Sequence, residues 1–239
     1  MPTNHHGNGV VSKILLNLPR KEYQALFPRL EFVALPLRTV LNEIAKPIEY
    51  GYFMNSGLAS ILAVMADGKS VEVGLTGKEG FVGVPLIAGF RSSPTQVIVQ
   101  IEGSAFKISA KDVARSLREC PTLAKRLQRY SQEVSLQSAQ IAACNRLHEV
   151  SQRLARWLLM SQDRVGGDVV RLTQEFLAHM LGTRRASVTV AAGSLQKAHL
   201  ITYVRGEVKI EDRNGLEAAS CECYASLARQ SDKWQKEST

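Results

Sequence analysis

Hydrophobic residues change their spacing along the chain, and each change predicts a different kind of structure. Between about residues 14 and 30 the pattern favours short helices. Over residues 31–110 short apolar runs alternate with Gly, Asn and Pro, which indicates an antiparallel sandwich or barrel. The strand candidates are Phe32–Leu35, Tyr50–Met54, Ser60–Met65, Val71–Leu75 and Thr95–Ile101. The Asp67-Gly68 pair between two of these runs predicts a hairpin turn.

A long helix is predicted over residues 121–148, where the apolar spacing changes to about 3.5 residues. Its stripe consists of Leu123, Leu127, Tyr130, Val134, Gln137, Ile141, Cys144 and His148. A helix with such a seam needs a partner helix, so the stripe is predicted to be a homodimer interface. The alternative is that the stripe packs on the chain's own β-domain. A hinge is expected near Arg146–Val150, ahead of another amphipathic helix.

Residues 149–239 are predicted to form a helix-turn-helix domain with a β-wing. Thr173 is a good N-cap for the first helix, and Gly182 allows the left-handed backbone of a tight turn. Thr183 is expected to cap the second helix. The polar residues near the start of that second helix are Arg184, Arg185, Ser187 and Thr189. Two further short strands with a turn at Arg205-Gly206 predict the wing.

The charge of the chain favours a polyanionic partner. Lys and Arg number 30 against 22 Asp and Glu, so the net charge is +8. Residues 176–206 contain four basic residues and no acidic one, and a local cationic face of this kind suits phosphate contact. No stretch approaches 18 consecutive apolar residues, and the first residues do not read as a secretion signal. The sequence therefore predicts a cytoplasmic protein with reduced cysteines that binds double-stranded DNA and no membrane.

Two segments resemble the Crp/Fnr superfamily of transcription regulators, namely LTQEFLAHMLGTRRASVT and LITYVRGEVKIEDRNGLE. The resemblance implies an α+β chain with four parts: a flexible arm (1–13), a cyclic-nucleotide-binding-like β-roll that senses an effector (14–120), a dimerisation helix (121–148) and a winged helix-turn-helix (149–239). It also implies a homodimer on a palindromic operator, with RNA polymerase as a possible partner. The implied base-contact positions are Arg184, Arg185 and either Thr189 or Val190. The other expected contacts to the DNA backbone or groove come from Thr173, Gln174, Thr183, Ser187, Thr189 and Arg205.

The β-roll differs from its cyclic-nucleotide-binding relatives at the expected ligand positions. Their Gly-Glu pair corresponds here to Gly83-Val84, and valine cannot accept a hydrogen bond from a ribose hydroxyl. Their Arg-Ser pair falls near Ser93-Pro94, two positions after Arg91-Ser92. Cyclic AMP is therefore not expected, although an unidentified small-molecule effector is possible. The candidate pocket residues are Lys78, Gly80, Gly83, Val84, Arg91 and Ser92. A purely structural turn is the alternative for this loop.

Enzymatic, metal and cofactor functions find little support in the sequence. No histidine occurs between Gly7 and Leu147, which argues against a metal-dependent cupin barrel. Cys221-Glu222-Cys223 has no nearby histidine and is therefore a weak indication of metal binding. The simpler interpretation is that the two cysteines are small residues packed beneath the C-terminal helix. We therefore predict no enzyme, cofactor or metal. A thiol-sensing or protein-interaction module with weak DNA binding remains the alternative function.

Overall fold

The computed structural model describes residues 9–236, and this part of the chain divides into two compact units. The first unit contains the residues up to Ile61 together with Leu75–Val134. The second contains Leu62–Gly74 and the residues from Ser135 onward. An antiparallel sheet fills the N-terminal part and helices dominate the C-terminal part, which confirms the predicted α+β class. None of the described helices is long and apolar enough to cross a membrane.

The first unit is built from short helices around a six-stranded sheet. Its helices are α1 (Lys13–Leu16), α2 (Arg20–Leu26), α3 (Val84–Ile87), α4 (Ala110–Glu119) and the start of α5 (Pro121–Leu147). The strands of the sheet are β1 (Glu31–Leu35), β2 (Val40–Asn42), β3 (Tyr50–Val64), β4 (Ser70–Thr76), β5 (Phe81–Val82) and β6 (Thr95–Ser109). The strand order is β1-β6-β3-β4, with β2 paired to β6 and β5 paired to β3. The pairing of β1 with β6 is antiparallel and places Glu31 opposite Lys107.

Strand β3 is longer than the sequence predicts, because it joins two of the expected strands. Gly57 lies within it at a φ of +78°, a conformation that side chains rarely adopt. A Cβ atom at this position would lie 2.5 Å from the carbonyl oxygen of Ile101. The glycine therefore marks a local distortion inside one strand. The predicted hairpin turn at Asp67-Gly68 is confirmed, and the Met65 N–H donates to the Lys69 carbonyl there at 2.8 Å.

The start of α5 belongs to the core of the first unit, which corrects part of the predicted dimer interface. Leu123, Leu127 and Tyr130 are buried in one apolar cluster with core phenylalanines, and Val134 packs against that cluster. Since side chains already buried in their own unit cannot contact a partner helix, the alternative interpretation holds for this half of the stripe. Tyr130 also donates from its hydroxyl to Thr76 Oγ1 at 2.9 Å.

The predicted flexible arm is too long at its C-terminal end. Residues 1–8, including His5 and His6, lie outside the described residues. Val10 is buried in the same apolar cluster, and the Val11 N–H donates to Asn55 Oδ1 at 2.7 Å. These contacts attach residues 10–13 to the first unit.

The second unit contains six helices and a three-stranded sheet besides the hairpin tip 62–74, counting described residues only. Its helices after α5 are α6 (Val150–Val165), α7 (Gln174–Met180), α8 (Arg185–Lys197), α9 (Arg213–Ala219) and α10 (Cys223–Lys236). Strands β7 (Val169–Arg171), β8 (Ile201–Val204) and β9 (Glu207–Ile210) form a sheet in the order β7-β9-β8. Helix α5 ends at Leu147 and α6 begins at Val150, so the predicted break near residues 146–150 is present.

The tip of the β3–β4 hairpin, Leu62–Gly74, is anchored within the second unit. The Trp157 indole N–H donates to Glu72 Oε1 at 3.0 Å, and both residues are buried. A buried carboxylate is costly unless it is hydrogen-bonded, so this contact stabilises the tip in place. The compact units consequently differ from the predicted domains, which divide at residues 120 and 148 and keep the hairpin whole.

Candidate nucleic-acid interface

The segment from Thr173 to Lys197 folds as two helices joined by a tight turn. Thr173 caps α7 as predicted, because its side-chain oxygen accepts the Phe176 N–H at 3.2 Å. Gly182 has a φ of +56°, and a Cβ atom there would lie 2.8 Å from a methyl group of Val71. The turn therefore requires glycine both for its backbone and for its close approach to the hairpin tip.

The prediction that Thr183 caps α8 is wrong by one residue. Thr183 lies within the turn, where its N–H donates to the Ala178 carbonyl at 2.9 Å. Arg184 takes the N-cap position with extended backbone angles, and no side chain caps the helix. The first N–H groups of α8 therefore lack a side-chain acceptor, and Arg184 and Arg185 lie beside them.

Helix α8 has one buried and one exposed face. Its buried side chains are Val188, Ala191, Ala192 and Leu195. Arg184, Arg185 and Thr189 are exposed, and Val190 is 74% exposed. Ser187 is half-buried. The small apolar residues hold the helix close to its own unit and leave its N-terminal polar residues at the surface.

Five of the predicted DNA-contacting residues line a single surface cleft of about 540 Å³. They are Thr173, Gln174, Arg185, Thr189 and Arg205. Ala192, Gly193, Gln196, Tyr203 and Gly206 complete its lining. Thr183, Arg184 and Ser187 are not among the lining residues. The cleft therefore combines the starts of α7 and α8 with the wing.

Hydrogen bonds hold the parts of this cleft together. The Thr189 hydroxyl lies 2.7 Å from Gln174 Oε1, to which it donates, and this contact connects α8 to α7. The Tyr203 hydroxyl donates to the Leu172 carbonyl at 2.7 Å and connects β8 to the segment before α7. Burial raises the pKa of Tyr203, and the nearby Arg185 guanidinium partly opposes that shift. Sequence reasoning missed Tyr203, although its spacing of two residues from the apolar Ile201, which places both on one face of the strand, was a usable signal.

The wing ends in the predicted two-residue turn. Arg205 has a φ of 50° and Gly206 a φ of 83°, values that suit a tight hairpin between strands with right-handed twist. The Leu172 N–H donates to the Gly206 carbonyl at 2.6 Å, which ties the turn to the segment before α7. The exposed Arg205 side chain is thus presented at the edge of the cleft.

Two of the six predicted effector residues line one cleft, and the other four do not. Val84 and Ser92 line a cleft of about 590 Å³ in the first unit. The other lining residues are Pro85, Ile87, Ala88, Phe90, Pro94, Gln128 and Ser131, so no lining residue carries a formal charge. Lys78, Gly80, Gly83 and Arg91 are not among them.

Two backbone hydrogen bonds and one ring contact give three of these remaining residues a structural role. The Lys78 carbonyl accepts the Lys13 N–H at 2.8 Å, and the Arg91 carbonyl accepts the Ile48 N–H at 2.7 Å. The Tyr130 ring packs so closely on Gly80 that a Cβ atom there would lie 2.2 Å from its hydroxyl oxygen.

The second half of the predicted dimer stripe is also buried in the single chain. Gln137 and Ile141 are 8% and 1% exposed, and Cys144 has no exposed surface. Cys144 contacts Cys221, and the His148 ring lies beside Cys223. The statement that no histidine lies near Cys221 and Cys223 is therefore wrong, because chain folding brings His148 to them.

Comparisons with known proteins agree with this architecture. Residues 152–219 match the family model of the Crp-like helix-turn-helix domain. The structure of FixK2 from Bradyrhizobium japonicum matches with a TM-score of 0.69 at 14% identity, over 80% of this chain and 98% of that one. A protein from Eubacterium rectale assigned to the Crp/Fnr family matches with a TM-score of 0.67 at 14% identity, over 87% and 98% of the two chains. No curated protein matches the sequence significantly.

A third solved structure is the regulator CLP from Xanthomonas campestris, with a TM-score of 0.66, 18% identity and coverage of 80% and 99% of the two chains. The chain thus carries a Crp-like helix-turn-helix domain within the fold of Crp/Fnr regulators. Both sequence segments that resemble this superfamily lie within residues 152–219, so the resemblance is confirmed for the helix-turn-helix domain.

Proposed function

We propose that this chain is a transcriptional regulator of the Crp/Fnr type that binds a palindromic double-stranded operator as a homodimer and reads it with the start of α8. The observation that carries the proposal is the joint cleft of Thr173, Gln174, Arg185, Thr189 and Arg205. Arginine is the side chain that most often contacts guanine in the major groove, and recognition helices meet base edges near their N-terminal end. Arg184 and Arg185 would specify bases, and the remaining cleft residues with Ser187 would contact the backbone.

Substitution of Arg185 tests this proposal directly. Arg185→Ala is expected to weaken operator binding by about 1–3 kcal/mol, roughly 5- to 150-fold in Kd, and to relax the sequence preference. Fluorescence anisotropy with operator and scrambled duplexes measures both effects. Arg229→Ala is a matched control, because Arg229 is an exposed arginine on α10 outside the cleft. If Arg185→Ala weakened binding equally on every duplex, Arg185 would contact phosphate and would not specify a base.

The salt dependence of binding separates a DNA-binding regulator from an interaction module. Each phosphate that the dimer neutralises should contribute about −0.9 to the slope of log K against log salt concentration. A steep decrease in affinity is therefore expected. A flat response on many duplexes would instead favour the protein-interaction function.

For the homodimer we propose the face of α5 opposite to the buried stripe. Within the second unit its exposed residues include Ser135, Ala139 and Ala142, spaced four and three residues apart. Their small side chains would let a second helix approach closely. Ala139→Glu is expected to shift the protein towards monomer in analytical ultracentrifugation, and Ala228→Glu, at an exposed alanine of α10, is the matched control. An unchanged dimer in Ala139→Glu would remove this face from consideration.

We further propose that the β-roll controls DNA binding without cyclic AMP. The uncharged lining of the cleft beside Val84 and Ser92 offers neither a cation for a cyclic phosphate nor a carboxylate for a ribose. The proposed control is supported by strands β3 and β4, because Val71 near their shared tip lies against the helix-turn-helix turn at Gly182. Addition of cyclic AMP should leave the operator Kd unchanged, and a clear shift in Kd would contradict the proposal.

The remaining partners follow from operator binding. We expect the protein to act in the cytoplasm, where bacterial DNA resides, and to influence RNA polymerase at the promoters it occupies. We expect no enzymatic activity.

An effector extracted from freshly purified protein by denaturation, and identified by mass spectrometry, would show what the apolar cleft binds.

A further inference from the structure

Four potential metal ligands from distant parts of the sequence converge inside the second unit. They are Cys144 near the end of α5, His148 in the break before α6, and Cys221 and Cys223 at the start of α10. One ligand atom from each residue lies within 4.8 Å of all the others. The three cysteines are buried and His148 is half-buried. We call these four residues the Cys3His cluster.

The spacing of the ligand atoms matches a tetrahedral zinc site. With Zn–S bonds of about 2.3 Å and Zn–N bonds of about 2.0 Å, two sulfurs lie about 3.8 Å apart and a sulfur and a nitrogen about 3.5 Å apart. Here Cys144 Sγ lies 3.4 Å from Cys221 Sγ, and Cys223 Sγ lies 3.6 Å from His148 Nδ1. Small rotations of these side chains therefore suffice to place all four atoms around one ion.

Two neighbouring side chains orient the ligands. His148 Nε2 lies 3.1 Å from the Glu222 carboxylate, which accepts the N–H and leaves the Nδ1 lone pair facing the sulfurs. Such a carboxylate–histidine pair is the usual support of a metal-bound histidine. On the other side, Gln140 Nε2 donates to Cys223 Sγ at 3.0 Å, a contact that stabilises a thiolate.

The charges around the cluster also favour thiolates. Arg153 and Arg156 are 7% and 2% exposed, and the Nε atom of each lacks a hydrogen-bond partner. Arg156 Nη1 is 3.3 Å from the weak acceptor Met160 Sδ. Buried guanidinium groups are costly without a compensating negative charge. Both arginines lie on α6, which begins two residues after His148.

We propose that the Cys3His cluster binds one Zn²⁺ ion as a closed structural site. Three thiolates and an imidazole are the ligand set that zinc prefers, and four protein ligands leave no open position for a substrate. On binding, the thiol protons leave to solvent, and the resulting charge of −1 for the zinc and three thiolates faces the two buried arginines.

The proposed zinc would join segments that lie 77 residues apart in the chain. It ties the end of α5 and the α5–α6 break to the start of the C-terminal helix α10. The second unit thereby gains a cross-link at the point where the helix-turn-helix domain begins. This inference does not depend on the proposed operator binding.

Metal analysis of the full chain, purified anaerobically with a reductant and added Zn²⁺, tests the proposal. We expect one zinc per chain by elemental mass spectrometry. Replacement of the zinc by Co²⁺ should give the intense visible bands of a tetrahedral site and a thiolate-to-cobalt charge-transfer band in the near ultraviolet. Cys223→Ser should remove bound zinc and that charge-transfer intensity. A chelator should lower the Tm of the wild-type chain and leave the Tm of Cys223→Ser almost unchanged.

Two further variants keep the test decisive if Cys223→Ser folds poorly. Glu222→Gln retains all four ligands and should weaken zinc binding about 10- to 100-fold in a competition titration. Cys120→Ser is the matched control, because Cys120 is a buried cysteine outside the cluster and its loss should leave one zinc bound. The proposal is overturned by a chain that binds neither Zn²⁺ nor Co²⁺, by iron with acid-labile sulfide at this site, or by a Cys144–Cys221 disulfide that persists under reductant.

Discussion

Helices α5 and α8 begin in opposite ways, although each buries one apolar face within the chain. At the start of α5 the Glu22 carboxylate accepts the N–H groups of Thr122 and Leu123 at 3.1 and 3.0 Å. At the start of α8 no side chain accepts an N–H, and two arginines stand at the positive end of the helix. A negative group stabilises a helix N-terminus and positive groups destabilise it.

The difference indicates what each helix start is for. The N–H groups of α5 are satisfied within the chain, so this end contributes to stability. No side chain accepts those of α8, although the Ser187 N–H donates to the Arg184 carbonyl at 2.9 Å, and this end with its two arginines suits the proposed contact with DNA. The N–H groups at the start of α5 are hydrogen-bonded by a side chain of the same chain. At the start of α8 we infer that the missing cap lowers stability and leaves room for a ligand.

The largest effect should come from the apolar face of α5. Leu127→Ala removes a side chain that is 1% exposed in the first unit's core, so the free energy of unfolding should decrease by about 2–5 kcal/mol. Urea unfolding followed by circular dichroism measures this loss, and the exposed neighbour in Gln128→Ala should lose little. If Leu127→Ala and wild type had the same free energy of unfolding once both were diluted to monomer, Leu127 would instead lie in a dimer interface.

The turn before α8 should give the next largest effect. Gly182→Ala places a Cβ atom on a left-handed residue and 2.8 Å from a Val71 methyl group, so a loss of about 1–2 kcal/mol in the free energy of unfolding is expected. Gly167→Ala serves as control, since no atom lies within 4 Å of a Cβ there and its φ is not in the left-handed region. Equal losses in both variants would mean that the turn tolerates a side chain.

The open end of α8 predicts a variant that gains stability and loses binding. Arg184→Ser supplies the missing N-cap and removes a positive charge, so the free energy of unfolding should rise by about 1 kcal/mol. Operator affinity should decrease in the same protein. Thermal unfolding and anisotropy measure the two effects, and Arg184→Ala, which has no capping oxygen, should lose affinity with less gain in stability. A stabilised variant that keeps full affinity would contradict the idea that this end is reserved for DNA.

Local signals in the sequence predict the helix-turn-helix well and long-range contacts poorly. Thr173, Gly182 and the Arg205 turn follow from the conformational preferences of single residues, so the structure agrees with them. The cap of α8 is misplaced by one residue, because the Ala178 carbonyl draws the Thr183 N–H into the turn. These preferences act over a few residues and need no knowledge of the rest of the fold.

The stripe of α5 illustrates the limit of periodicity. Its spacing correctly indicates one buried face, but spacing carries no information on what covers that face. Leu127 is buried by the chain's own core, and Cys144 by a cysteine 77 residues further along. For the same reason neither the Cys3His cluster nor the Glu22 cap of α5 is visible before the chain is folded.

The closed end of α5 should show the smallest effect and a characteristic pH dependence. Burial raises the pKa of Glu22, but hydrogen bonds from Thr122 and Leu123 lower it more, so its pKa in the folded chain lies below 4.5. The ionised carboxylate therefore stabilises the fold above pH 4.5, and this contribution is lost as the pH falls through the folded pKa.

Glu22→Gln should accordingly reduce the free energy of unfolding at pH 7 by about 0.3–1 kcal/mol, the range for a charge at an accessible helix end. The difference from wild type should shrink as unfolding is measured at successively lower pH below 4.5. Glu102→Gln, which replaces an exposed carboxylate on β6, should show little difference at any pH. If the difference in unfolding free energy between Glu22→Gln and wild type stayed constant down to the lowest pH at which the chain folds, the carboxylate charge would not be what stabilises the start of α5.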